Sequence, residues 1–100
     1  MQFIVTGLDG KDEKALDRRM AAREGHLAMA REMADKGHWL YAAAILNDDK
    51  QMVGSVIICD FESREALQND WLDREPYVLG DVWKEVQISE AAVPPLFLNS

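Results

Sequence analysis

One hundred residues carrying 18 acidic against 11 basic side chains have a net charge of -7, which argues against a nucleic-acid partner, because phosphate recognition relies on clustered Lys and Arg. No apolar run approaches the roughly 20 residues needed to span a bilayer. The composition, 48% hydrophobic and 29% charged, predicts one soluble cytoplasmic domain over residues 1–100, with no membrane partner.

Gln2 to Leu8 is predicted as the first strand, from the β-favouring Phe3, Ile4 and Val5 and the flanking Gly7 and Gly10. Glu13 to Lys36 is predicted as a long helix, with Leu16, Met20, Arg23, Leu27, Ala30 and Ala34 as its core stripe and Gly37 as its terminator. Four of the six arginines (Arg18, Arg19, Arg23 and Arg31) lie on this helix, with His26 among them. An arginine within an apolar stripe must be paired. For Arg23 this leaves two readings: a clamp for a substrate anion, or an internal ion pair with Asp9 or Glu75. Gly25, beside His26, suits the close approach of another backbone or a ligand.

His38 to Leu46 and Met52 to Asp60 are predicted as a hairpin across the Asn47–Lys50 turn. Cys59, the single cysteine, rules out an internal disulfide, and its apolar run points to a buried inert thiol. Ser63 is a good N-cap for a second helix carrying Ala66, Leu67 and Trp71. Pro76 stops that helix near Arg74, and Val78 to Asp81 forms a short turn or helical piece. Trp83 to Ser89 alternates as the fourth strand, Pro94-Pro95 ends regular structure, and Leu96-Phe97-Leu98 is an apolar tail expected to pack somewhere.

The order β-α-β-β-α-β predicts a ferredoxin-like α+β fold, an antiparallel four-stranded sheet with two helices on one face. The strands at 2–8 and 52–60 are apolar on both faces, although a sheet covered on one side should be polar on the other. A second copy packed on the open face, giving a homodimer, would resolve that.

His26 is the central candidate for chemistry, since an imidazole can take or give a proton near neutrality. Asp9 and Glu75 can each supply a carboxylate to orient it. Tyr77 could donate its hydroxyl to a substrate oxygen or simply pack. His26 and His38 form no metal-ligand pattern, and no Gly-rich phosphate loop is present, so no metal or cofactor is expected.

Five short segments, in order, carry a family resemblance: Gly7-Leu8-Asp9, Arg23-Glu24-Gly25-His26-Leu27, Gly54-Ser55-Val56-Ile57, Phe61 to Ala66, and Glu75-Pro76-Tyr77-Val78. Over most of its length the chain resembles the YCII-related (YciI-like) proteins of the dimeric α+β barrel group. The resemblance implies a ferredoxin-like dimer with a pocket holding a His and an acid. It also implies a small-molecule ligand, and a few such relatives act on chlorinated aromatic diols or lactone-like intermediates. Two positions depart from the family pattern. Glu75 stands where Asp is usual, and Ala42-Ala43-Ala44 stands where Ala-Gly-Pro is usual. The expected function is a cofactor-independent lyase, isomerase or dehydrochlorinase-like enzyme, with His26, Glu75 and Asp9 as catalytic candidates and Arg23 and Tyr77 as substrate contacts. The alternative is a dimeric module that binds a ligand or partner without turnover.

Overall fold

The computed structural model describes residues 1–98. The elements run in the order β1 (Gln2–Asp9), α1 (Ala15–Asp35), β2 (Trp39–Leu46), β3 (Met52–Asp60), α2 (Arg64–Asp70), the one-turn α3 (Pro76–Leu79) and β4 (Trp83–Ala91). The strands form one antiparallel sheet in the order β2-β3-β1-β4. This is the ferredoxin-like arrangement expected from the sequence. Ser63 caps α2 as predicted, its side chain accepting from the Ala66 amide at 3.0 Å.

The second helical region divides into more pieces than its sequence suggests. It ends at Asp70, a 3-10 turn follows over Leu72–Arg74, and Pro76 then opens α3 at its first position. Proline suits that place because its missing N–H has no helical acceptor there and its φ is already helical. The extended backbone of Glu75 (ψ 121°) is what a residue before proline favours.

The core fills the space between one sheet face and the helices. Phe3 and Val5 of β1 face Cys59 and Ile57 of β3 in register, and Met29, Met33, Leu67 and Trp71 close over them. Trp83 lies flat against β1, where a Cβ on Gly7 would meet its ring at 2.3 Å. Only glycine fits that position.

The predicted core stripe of α1 is largely wrong, although its Ala30 packs against the core. Leu16, Met20, Arg23 and Leu27 are exposed, and the buried face is Arg19, His26, Met29 and Met33. The apolar spacing misled because this helix buries two polar side chains with partners waiting for them, and leaves a flank of apolar ones uncovered. The apolar tail is little covered within the chain. Pro95–Phe97 forms a 3-10 turn with Leu96 and Phe97 each 71% exposed. Phe97 instead borders an apolar groove on the open sheet face, with Ile4, Tyr41 and Ile58.

Candidate active site

Glu75 is fully buried, at 0% exposure, although carboxylates are almost never fully buried unless paired. Three donors hold it. Its Oε2 accepts from the Tyr77 amide at 2.8 Å, capping α3, and lies 2.8 Å from His26 Nδ1. Its Oε1 accepts from the Trp71 indole N–H at 3.0 Å. A carboxylate only accepts hydrogen bonds, so His26 Nδ1 carries a hydrogen towards Glu75, and in the neutral ring this leaves the lone pair on Nε2. Nε2 makes no hydrogen bond among the described residues.

Close packing of α1 on α3 makes this reach possible. A Cβ on Gly25 would lie 3.2 Å from Pro76 Cγ, so the glycine admits the proline ring beside His26. Outside, Arg74 donates two bonds of 3.0 Å to Glu32 of α1 and ties the segment before Glu75 to the helix bearing His26. Tyr77 stacks on the imidazole, with ring centroids 3.9 Å apart and planes 9° from parallel. Burial pushes the Tyr77 phenol above its ordinary value, so it remains a hydrogen donor near neutrality.

A second buried group adjoins the first. Arg19 Nη1 donates to both oxygens of Asp9, at 2.9 and 3.1 Å, and Nη2 donates to Ser55 Oγ at 2.9 Å. The guanidinium carbon also lies 4.7 Å from the Tyr77 ring centroid. Burial raises the Asp9 carboxyl, with Arg19 pulling in the opposite direction.

A cavity of about 180 Å³ opens between α1 and β2, with Arg23, His26, Ala42, Ala44, Ser55 and Tyr77 among its walls. It exists because β2 presents small side chains there: Ala42 sits opposite Ile57 and Ala44 opposite Ser55. A dry cavity of similar size, roughly 150 Å³, accommodates benzene, so this space suits a single ring.

Of the residues singled out from sequence, His26, Glu75 and Tyr77 come together. Asp9 does not reach His26; its partner is Arg19. The expectation that Arg23 sits in the core and must be paired is overturned: it is exposed at the cavity wall and makes no ion pair among the described residues. The buried arginine is Arg19, seven residues before His26. That spacing was visible in the sequence as a shared helix face. Ser55 stands out in the sequence only within the Gly54–Ile57 segment, and Trp71 only as an aromatic that could line a pocket or pack in the core.

Cys59 is buried, and its thiol is pushed up to about 12, first by burial and then by Asp60, so it is no nucleophile. His38 is structural, with Nδ1 3.0 Å from the Asp60 carbonyl and its ring stacked on Phe61. Among the described residues no three His, Cys, Asp or Glu side chains converge as metal ligands, and no helix is long and apolar enough to cross a membrane.

A ferredoxin-like sheet with a buried His–carboxylate pair beside a small cavity defines the class. The chain belongs to the YCII-related domain family, whose model matches residues 1–92. It is 32% identical over 94 residues to protein YciI of Escherichia coli O6:H1, covering 88% of this chain and 93% of that one. A Haemophilus influenzae protein is 31% identical over 92 residues, covering 86% and 91% of the two chains. Among solved structures, the fold is similar to 5-chloro-2-hydroxyhydroquinone dehydrochlorinase from Burkholderia phenoliruptrix AC1100, in complex with 2,5-dihydroxybenzoquinone. The TM-score is 0.79 at 20% identity, covering 96% of this chain and 98% of that one. A dimeric ferredoxin-like protein of unknown function from Jannaschia sp. CCS1 superposes with a TM-score of 0.51 at 15% identity, over 92% and 98% of the chains.

Proposed function

We propose that this protein is a small cofactor-independent enzyme that moves a proton on a monocyclic, anionic or aromatic-derived metabolite. His26 is the base. Glu75 fixes its tautomer and stabilises the imidazolium that forms. The proton passes to His26 Nε2. Its electron pair stays on the substrate, giving isomerisation, or displaces a leaving group, giving elimination. Tyr77 donates to a substrate oxygen, and Arg23 attracts the anion at the cavity mouth. Asp9 acts at one remove, through Arg19.

The observation that carries this reading is the 2.8 Å bond between His26 and a completely buried Glu75 at the wall of a ring-sized cavity. Likeness to a dehydrochlorinase supports the substrate class. The homodimer, through the open sheet face, is supported by the apolar residues on that face and by the dimeric neighbour.

The test is turnover of 5-chloro-2-hydroxyhydroquinone and related chlorinated and hydroxylated rings, followed by chloride release and absorbance. A positioned His is worth about 10²–10⁴-fold, so His26→Ala should lose that much. Equal turnover by the variant would remove His26 from the mechanism. The second reading, a ligand-binding module without turnover, is favoured by the exposed Arg23, which can hold an anion whether or not chemistry follows. Saturable binding of these rings by wild type with no product would select it.

A further inference from the structure

Ser55 stands on β3 between Gly7 of β1 and Ala44 of β2. It is 3% exposed and lines the cavity together with His26 and Tyr77. Arg19 Nη2 donates to its oxygen at 2.9 Å. The hydroxyl hydrogen has no acceptor among the described residues, since the bond from Arg19 occupies only an oxygen lone pair. Arg19 is fixed in turn by Asp9, which accepts from Nη1 with both oxygens. A guanidinium donating to a hydroxyl oxygen polarises the O–H and makes it a stronger donor, and more so where water is scarce. Ala44 across the strand is too small to cover it.

We propose that Ser55 is a catalytic hydrogen-bond donor: its hydroxyl, backed by Arg19 and Asp9, holds the substrate oxygen that gains negative charge when His26 removes a proton. The proposal rests on His26 being the base. The proton moves from substrate to His26 Nε2. The bonding pair enters the substrate's π system and settles as charge on the oxygen facing Ser55. The pair then recaptures a proton at another atom, or leaves with a departing anion, and nothing is oxidised or reduced. The site therefore selects ligands with a carbonyl, enol or phenol oxygen. Donors aimed at developing oxyanions in sites of this kind are worth about 10²–10³ in turnover.

The test compares two probes that differ by one phenolate oxygen, 4-nitrophenolate and nitrobenzene, on the full chain, by quenching of tryptophan fluorescence. Ser55→Ala is expected to weaken 4-nitrophenolate about tenfold or more, the range for a hydrogen bond to a charged group, and to leave nitrobenzene within about twofold. Ser55→Cys keeps the size and an acceptor for Arg19 but is a weak donor. It should show the same loss, and it keeps the test open if the alanine variant does not fold. Equal weakening of both probes would assign Ser55 to packing, and no weakening would leave it without a role; either overturns the proposal while the His26 reading stands. Wild type that binds neither probe would overturn the aromatic-anion reading of the cavity and this proposal with it.

Discussion

At the scale of single residues, the site turns on one carboxylate with three donors. Glu75 caps α3, receives the Trp71 indole and faces His26. Glu75→Gln keeps the volume but puts an N–H₂ where an oxygen accepted, so one buried donor must lose its partner. The expected cost is about 1–3 kcal/mol, read as a lower urea midpoint at unchanged slope, together with loss of activity. A variant as stable as wild type would mean that Glu75 bears no such network. The pairing of His26 with an acid was legible in the sequence, and the choice between Asp9 and Glu75 was not. In the fold Arg19 takes Asp9, while the close packing of Gly25 on Pro76 brings Glu75 to His26. Arg23 was misread for a related reason. Spacing places residues on a helix face but does not say which face the sheet meets. Here the buried face was the one whose polar members, Arg19 and His26, had carboxylates opposite them.

At the scale of elements, α1 carries both halves of the site and is held to the Glu75 segment by an exposed clamp. Arg74, and secondarily Lys36, hold the Glu32 carboxyl down to about 2 from its usual 4.5. A carboxyl depressed in the folded state contributes stability that is complete above its unfolded value and lost as pH falls through the folded one. The stability difference between wild type and Glu32→Gln should therefore be constant above about pH 5 and shrink toward zero by about pH 2. Denaturant midpoints across that range check this, and a difference that persists unchanged at the acid end would exclude the clamp. The strands were legible from their β-favouring runs at 2–8 and 52–60 and from the alternation at 83–89; β2 was the least so. Its three alanines are poor strand formers, and their value lies elsewhere: they leave the gap that becomes the cavity.

At the scale of the whole molecule, the sheet has one face under the helices and one without cover. On the uncovered face Ile4 and Tyr41 are exposed beside Ile58, while the β4 side brings Glu85, Gln87 and Ser89. An apolar patch rimmed by polar residues is the pattern of an association surface. Ile58→Asp is expected to turn a dimer into a monomer in sedimentation equilibrium and to leave the far-UV spectrum unchanged. A wild type that sediments as a monomer at micromolar concentration would remove the homodimer. The cavity, by contrast, opens on the helical side of the sheet, between α1 and the edge strand β2. Two copies joined back to back would thus keep their hollows at opposite ends of the assembly, each filling without altering its twin. Saturation curves would be hyperbolic, and a mixed pair with one disabled copy would retain half the output.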